Sequence, residues 1–300
     1  MNTSTQHPPH LSGAPEEGNL SESQSAQIKS IQGKIKEIVW GLGVAIENLK
    51  VNQKKIEEQK KIEEQKKIEN QKKIEEIAVA CEKSDDDYFV SYAKLIRETG
   101  NVNEKDVYGD TALMWAVYYG HTEIIPLLLT HSEIQINEKD SDGKTALILT
   151  AYRGHTEITQ LLLTRPEIQV NEKDSDGDTA LMLAAREDHT EIIPLLLARP
   201  EIQVNEKNSD GDTALIWAAD QGNPEITQLL LARPEIQVNE KDSDWNTALI
   251  YAARNGHTEI TQLLLADHRL DLMDHDKWKE TIIQGIIPEI NILIQNAMNK

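Results

Sequence analysis

The chain has 300 residues, a formal net charge of −20 at pH 7 and 39% hydrophobic residues with a single Phe. The acidic excess lies in residues 81–300, where 39 acidic residues outnumber 19 basic ones. Such a field disfavours nucleic acid and anionic lipid, and it either steers a basic protein partner or only maintains solubility. Cys81 is the only cysteine, which excludes an intrachain disulfide and a cysteine-rich metal site and favours a reducing compartment.

The N-terminal segment, residues 1–25, is rich in Ser, Pro, Gly, Gln and Asn. It cannot bury enough apolar surface to offset the entropy of ordering, and it is therefore predicted to be a disordered tail. Met1 to Leu20 lacks a basic start followed by an apolar run, so no secretory signal is expected. The longest apolar stretch, Ile38 to Ile46, is too short to span a bilayer, and we expect no membrane insertion.

Residues 26–76 are predicted to form a charged helix that is a possible coiled coil. An apolar seam at three- and four-residue spacing runs through Ile28, Ile31, Ile35, Ile38, Leu42, Ala45, Leu49 and Ile56. Beyond it, Ile62, Ile68 and Ile74 follow at six-residue steps and spiral around the helix instead of forming a stripe. Segment 28–56 either makes a homo-oligomer or packs on the units that follow, and Gly41 and Gly43 weaken both readings.

The rest of the chain is a repeat array. A threonine followed by two apolar residues recurs at 34-residue intervals, at Thr111, Thr145, Thr179, Thr213, Thr247 and Thr281. In one unit, Asp-Ser-Asp-Gly forms a turn, Thr179 caps a short helix of small residues, and a second helix starts at Thr190. Arg199-Pro200 stops that helix before an extended return. Such a unit cannot bury its own apolar face, so it must stack on neighbours.

These units resemble the ankyrin repeat. One copy matches the family pattern at Gly143, Thr145, Leu147, Ala151, Gly154, His155, Glu157, Ile158, Leu161, Leu162, Val170 and Asn171. The resemblance implies an all-α solenoid with short hairpin turns, preceded here by the long N-terminal helix. It departs from the family in having Ala after Thr, apolar residues in place of the family's His, and an Arg-Pro-Glu-Ile-Gln return that is one residue longer than the family's.

Five full repeats are assigned to residues 106–275, with an atypical unit at each end. Residues 77–105 carry helical patterns without the Thr-Ala-Leu opening and are predicted to be an N-terminal cap. Residues 276–300 begin a last unit whose Pro288 arrives early, and they are predicted to be a C-terminal cap. Terminal repeats are expected to differ because one of their faces meets water.

The recurrent polar residues do not predict an enzyme, a cofactor or a metal site. His121, His155, His189 and His257 recur at one position of the unit, where the fourth repeat has Asn223. Neighbouring packed helices lie about 8 to 10 Å apart, which is too far for successive copies to share a zinc ion. The Asp-rich turns lack the Gly and Glu spacing of a calcium loop. No phosphate loop, nucleophile elbow or zinc-protease motif occurs. The repeated residues are therefore interpreted as structural.

Candidate binding residues are those that differ between repeats. The resemblance implies that hairpin turns and first-helix ends line a concave face, where the early repeats place aromatic and Arg side chains. Trp245 replaces a turn glycine and Trp278 lies one residue before the matching turn position; they either anchor a partner or cap the array. Trp115 and Trp217 are expected in the core. The predicted contact residues are Tyr108, Tyr118, Tyr119, Tyr152, Arg153, Arg186, Trp245 and Trp278.

The predicted function is non-catalytic protein binding by an adaptor or scaffold. Acidic turn tips at Asp142, Asp176, Asp210 and Asp244 would steer a basic partner. The alternative is an assembly protein that oligomerises through its N-terminal helix. Ankyrin proteins occur in cytoplasmic adaptors and among proteins that intracellular bacteria deliver into hosts, so the resemblance favours the cytoplasm and leaves the biological setting open.

Overall fold

The computed structural model describes residues 21–83, 87–271 and 288–298. Within these ranges the chain is helical, and its β-structure is limited to isolated bridges between Lys173 and Thr179 and between Lys241 and Thr247. The predicted all-α fold is therefore confirmed. The helices are α1 Glu22–Glu82, α2 Asp87–Thr99, α3 Ala112–Tyr119, α4 Ile125–Thr130, α5 Ala146–Arg153, α6 Thr156–Leu163, α7 Ala180–Arg186, α8 Ile192–Leu197, α9 Ala214–Gln221, α10 Pro224–Leu231, α11 Ala248–Arg254, α12 Thr258–Ala266 and α13 Pro288–Met298.

Helix α1 is longer than the pattern suggested. It begins at Glu22 instead of Ala26, so residues 22–25 belong to the helix and not to the tail, and it continues to Glu82. The chain divides into two compact units, Met1–Lys67 and Ile68–Lys300, and the division falls inside this helix. None of the described helices is both long enough and apolar enough to cross a membrane.

In the second unit, the C-terminal turns of α1 form a hairpin with α2. Ile74, Ile77, Ala78 and Cys81 are buried, which is the three- and four-residue spacing of one helix face. Arg97 of α2 forms ion pairs with Glu75 and Glu82 of α1, which join the two helices. The part of α1 that packs in this unit therefore begins a few residues before the boundary expected at residue 77.

Helices α3 to α12 form five helical hairpins. Each first helix (α3, α5, α7, α9 and α11) starts after a threonine whose side chain accepts a hydrogen bond from the backbone N–H three residues later, as Thr145 does from Ile148. Gly154 ends α5 in the left-handed conformation, with φ +77°. The N-cap role expected for Thr179 is confirmed by the same bond, which it accepts from Met182.

The hairpins stack in two layers. Each first helix packs on the next first helix, and each second helix (α4, α6, α8, α10 and α12) packs on the next second helix. Alanines such as Ala184 and Ala218 are fully buried in the first-helix layer, which lets the helices approach closely. The buried Ile, Leu, Val and Ala side chains form one continuous core, so each repeat is stabilised mainly by its neighbours.

Polar ladders join successive repeats. In repeats 1 to 4, the Asn of the extended return bonds the backbone of the next repeat, as Asn171 does by donating to the Glu201 carbonyl at 2.7 Å and accepting from the Gln203 N–H at 2.9 Å. Lysines form a second ladder, in which Lys173 Nζ donates to the Lys207 carbonyl at 2.8 Å. Both contacts recur because the 34-residue period places the same groups at the same interface.

The arginine of the lengthened return bonds the end of a helix in the preceding repeat. Arg199 donates from Nη1 to the carbonyl of Leu163, at the C-terminal end of the preceding second helix, at 2.8 Å. Arg165 makes the same contact with Leu129 at 2.6 Å. A cation at this position satisfies a free carbonyl and complements the helix dipole.

Candidate functional site

The hairpin turns and the last turns of the first helices carry most of the residues that vary between repeats. We call this side of the array the first-helix face. Its exposed side chains include Tyr108 in the first turn, Tyr118 and Tyr119 at the end of α3, and Tyr152 and Arg153 at the end of α5. The structure therefore places these five candidates on one face and at one end of the array.

Four of the candidate tyrosines surround one cleft, which we call the repeat-1 cleft. It has a volume of about 480 Å³, and its aromatic lining consists of Tyr108, Trp115, Tyr118, Tyr119 and Tyr152. A second cleft of about 560 Å³ lies on the other side of Tyr108 and Trp115, where Tyr92, Leu95 and Val107 line it. Aromatic rings grouped around a concave surface provide large, rigid contact area.

The rings of the repeat-1 cleft hold each other in place. The Trp115 and Tyr119 rings are stacked, with centroids 5.4 Å apart and planes 9° from parallel. The ring of Tyr118 meets Tyr119 edge-on at 5.2 Å. On its other side, the guanidinium of Arg153 lies 4.3 Å from the Tyr118 ring centroid. These contacts restrict the orientations that the aromatic side chains can adopt.

Trp115 was expected in the core, but it is only partly buried and lines both clefts. Its indole N–H donates to Asp106 at 2.9 Å, which fixes the ring at the mouth of the clefts. Sequence reasoning also missed Val107, whose side chain is 92% exposed beside Tyr108. The sequence signal for Val107 lies in the first hairpin turn, where Val-Tyr replaces the Ser-Asp of the next repeats.

The repeat-1 cleft also carries acidic groups. Asp110, Asp140 and Asp142 line it, together with Lys144, which forms an ion pair with Asp142 at 3.2 Å. Burial, reinforced by the charges of Asp106, Asp140 and Asp142, raises the pKa of Asp110 to about 6. The cleft therefore combines aromatic faces with carboxylates that lack a full set of counter-charges.

Arg186 does not line the repeat-1 cleft. It lies at the end of α7, where Nη1 pairs with Asp178 at 2.9 Å and the guanidinium lies 5.4 Å from the Trp217 ring centroid. Trp217, also expected in the core, is partly buried like Trp115. Arg186 thus belongs to a separate group of side chains further along the array.

Trp245 lies at the turn before α11 and is 66% exposed. Its backbone has φ +65°, in the left-handed region that glycines occupy at the other turns, such as Gly177 with φ +82°. Lys241 Nζ lies 5.2 Å from its ring centroid. Trp278, the other candidate at this end, is outside the described residues.

The acidic turn tips are exposed, as steering residues must be. Asp142, Asp176, Asp210 and Asp244 all project from the hairpin turns. The carbonyl of each of the first three accepts a hydrogen bond from the next repeat's Ser N–H; for Asp142 and Ser175 the distance is 2.8 Å. The backbone of these turns is thereby held, while the side chains remain in solvent.

The recurrent histidines contact the preceding repeat. His189 Nε2 lies 3.1 Å from the Tyr152 carbonyl, and His257 Nε2 lies 3.0 Å from the Asp220 carbonyl. No group of three or more His, Cys, Asp or Glu residues with metal-binding geometry occurs in the part of the chain that the structure describes. Cys81 is buried, and burial raises the pKa of its thiol to about 12, so this thiol is a poor nucleophile.

Stacked two-helix units of constant length define the chain as an α-helical solenoid, a class in which neighbouring repeats form both the core and an extended surface. The chain belongs to the ankyrin-repeat family: a family model described as ankyrin repeats (3 copies) matches residues 52–174, 133–208 and 200–276. Ankyrin repeats are generally protein–protein interaction modules and are typically non-catalytic. A comparison with curated proteins gives no significant match.

Proposed function

We propose that the array is a non-catalytic adaptor or scaffold that binds another protein through its first-helix face, with the repeat-1 cleft as the main contact. The observation that carries this proposal is the grouping of Tyr108, Trp115, Tyr118, Tyr119 and Tyr152 around one cleft, in a chain with 4% aromatic residues. Tyr, Trp and Arg in well-packed clusters dominate the energetics of protein interfaces. Arg153, held over Tyr118, supplies the cationic part of the contact.

The charge of the array supports a basic partner. The tips Asp142, Asp176, Asp210 and Asp244 are exposed along the first-helix face, and the carboxylates of the repeat-1 cleft lie beside them. Complementary charge raises association rates and fixes orientation more than it raises affinity. A free thiol at Cys81 is compatible with a partner in a reducing compartment such as the cytoplasm.

The repeat-1 cleft can be tested by replacing its exposed tyrosines in the full chain. We expect Tyr118→Ala with Tyr152→Ala to lower recovery of a cross-linked partner by about tenfold, because each removes an aromatic contact of about 1 kcal/mol or more. The matched control is Gln160→Ala with Gln228→Ala, two exposed residues of the second helices. Circular dichroism checks that all variants fold. Equal recovery by the tyrosine variant and the control would rule out the repeat-1 cleft.

Trp245 is a candidate for a second contact. A large, exposed side chain with φ +65° is strained, and such strain is retained where a residue has another role. We include Trp278 in this contact because it lies close to the matching turn position in sequence. In this arrangement, a partner engages both ends of the first-helix face.

A second candidate function is assembly through helix α1. The apolar seam at Ile28, Ile31, Ile35, Ile38, Leu42 and Leu49 is exposed in the single chain, with Leu42 at 58%. Exposed apolar residues at heptad spacing are the pattern of coiled-coil oligomers. Light scattering on the full chain tests this: Ile35→Glu with Leu42→Glu is expected to give a monomer, whereas Val44→Glu, on the opposite face, leaves the oligomer intact. A monomeric wild-type chain would refute assembly.

A further inference from the structure

Repeat 4, residues 208–241, lacks a cation that its neighbours contain. In repeat 3, Arg186 at the end of the first helix donates to Asp178, which precedes the N-cap threonine, at 2.9 Å. In repeat 5, Arg254 donates in the same way to Asn246 at 2.9 Å. The corresponding residues in repeat 4 are Asp220 and Asp212, so an acid stands where the neighbours have an arginine.

Asp212 is left without a counter-charge. Asp212 is only 8% exposed, and its Oδ1 atom has no hydrogen-bond partner. The nearby carboxylates of Asp178 and Asp242 are compensated: Asn208 and Arg186 donate to the first, and Tyr251 and Asn246 donate to the second. Burial, together with the charges of Asp242, Asp210, Asp178 and Asp220, raises the pKa of Asp212 to about 6.

Repeat 4 also lacks a hydrogen-bond acceptor. At the same position of the first helix, Trp115 donates to Asp106 at 2.9 Å and Tyr251 donates to Asp242 at 2.7 Å. The corresponding acceptor in repeat 4 would be residue 208, which is Asn. The Asn208 side chain is occupied by Asp178 and by the N–H groups of Asp210 and Asp212. The buried indole N–H of Trp217 therefore has no partner.

We infer that repeat 4 is a receptor site for one arginine of the bound protein, whose guanidinium pairs with Asp212 while a carbonyl of the same segment accepts the indole N–H of Trp217. Arginine is favoured over lysine because Arg186 and Arg254 fill the corresponding place in the adjacent repeats. Arg186 already lies over the Trp217 ring, so this ring tolerates a guanidinium. The two unpaired atoms are enclosed, so neighbouring side chains shift when the partner's arginine enters.

This site deepens the proposed protein-binding function and rests on it. It names one chemical feature of the partner, an arginine with an accessible backbone carbonyl in the same segment, and it lies in a repeat separate from the repeat-1 cleft. A buried, unpaired carboxylate costs free energy in the unbound protein, and a guanidinium that enters the site removes that cost.

The probe is an acetylated, amidated tri-arginine peptide, titrated into the full chain with EDTA present, and the indole N–H resonance of Trp217 is followed by NMR. Trp217→Phe assigns that resonance. We expect saturable binding that shifts the Trp217 signal and is about tenfold tighter than for tri-citrulline, which has the same shape without charge. Absence of a Trp217 shift, or equal affinity for the two peptides, would overturn the inference.

Two substitutions test the site itself. Asp212→Asn is expected to weaken tri-arginine binding by about tenfold, whereas Glu225→Gln, an exposed acid on the second helix of the same repeat, changes it less than twofold. Asp220→Arg closes the site from within, as Arg186 and Arg254 do in their repeats, and is expected to abolish binding. Equal effects of Asp212→Asn and Glu225→Gln would reduce the binding to a general effect of the acidic array and would sink the inference. Partner capture that depends on Tyr118 and Tyr152 would still stand.

Discussion

At the scale of single residues, a contact between glycine and histidine of neighbouring repeats explains why one repeat lacks the recurrent histidine. The rings of His155, His189 and His257 lie against the glycine that ends the preceding first helix; a Cβ at Gly154 would come 2.5 Å from Cε1 of His189. In repeat 3 this glycine is replaced by Asp188, with φ +62°, and the next repeat has Asn223 instead of histidine. The larger residue on one side is therefore matched by a smaller one on the other.

We predict strong coupling between Asp188 and Asn223. Asn223→His alone should lower the free energy of unfolding by about 1 to 3 kcal/mol, because the ring would meet the Cβ of Asp188. Adding Asp188→Gly should restore stability, since it recreates the pairing of Gly154 with His189. Urea denaturation of the four chains of this double-mutant cycle measures the coupling. Additive effects would mean that the two residues do not share a contact.

A second residue-scale prediction concerns Asp212. Its pKa is raised from 3.8 to about 6 in the folded chain, so the folded state holds the proton more tightly than the unfolded state does. The carboxyl group therefore supports stability below pH 4, and this support is lost as the pH rises through about 6.

Asp212→Asn should consequently stabilise the chain at pH 8 by on the order of 2 kcal/mol relative to wild type, with a difference that shrinks towards zero near pH 4. Thermal or urea unfolding of both chains at several pH values measures it. Glu225→Gln, which removes an exposed carboxylate from the same repeat, serves as the control. A pH-independent difference for Asp212→Asn would place the origin of the effect elsewhere.

At the scale of elements, the arginine in each lengthened return closes the end of a helix in the preceding repeat. Arg199 bonds the Leu163 carbonyl and also pairs with Glu201 at 2.7 Å. We predict that Arg199→Ala lowers the free energy of unfolding by about 1 to 2 kcal/mol, because the carbonyl loses a charged donor.

Glu201→Ala separates the two contributions. It removes only the ion pair, in which the Glu201 side chain is 45% exposed, and should therefore cost much less stability than Arg199→Ala does. Denaturation midpoints of both variants provide the comparison. If Glu201→Ala costs as much as Arg199→Ala, the ion pair and not the helix cap is the stabilising contact.

At the scale of the whole molecule, the acidic excess should oppose folding. Four interrepeat ion pairs, including Lys173 with Glu206 at 2.5 Å, offset only part of it, given a net charge of −20. Like charges at this density destabilise a compact state through repulsion that salt screens. The thermal midpoint should therefore rise between about 20 and 300 mM NaCl, where the Debye length falls below ~10 Å. A falling midpoint would show that the ion pairs dominate.

The fold was predictable from the sequence because a 34-residue period, threonine caps and apolar spacing are all local signals that agree with one another. The site was predictable only in outline. Tyr118, Tyr119, Tyr152 and Arg153 stood out because they break the repeat, but the partial exposure of Trp115 and Trp217 depends on which residues of the adjacent turns meet them. Trp115 is held by Asp106 and Tyr119 of its own repeat, whereas Trp217 meets Arg186 of the preceding repeat, and the spacing of apolar residues in the sequence predicts neither contact.

The pairing of Asp188 with Asn223 also bears on how a chain of near-identical units finds its order. Their apolar faces are alike, so a folding chain could skip one unit and stack its two neighbours directly. If repeat 4 were skipped, His257 would press against the Cβ of Asp188; if repeat 3 were skipped, Asn223 would leave a gap beside Gly154. The pair Asp188 and Asn223 thus destabilises both of these misordered stacks and favours the native order of the repeats.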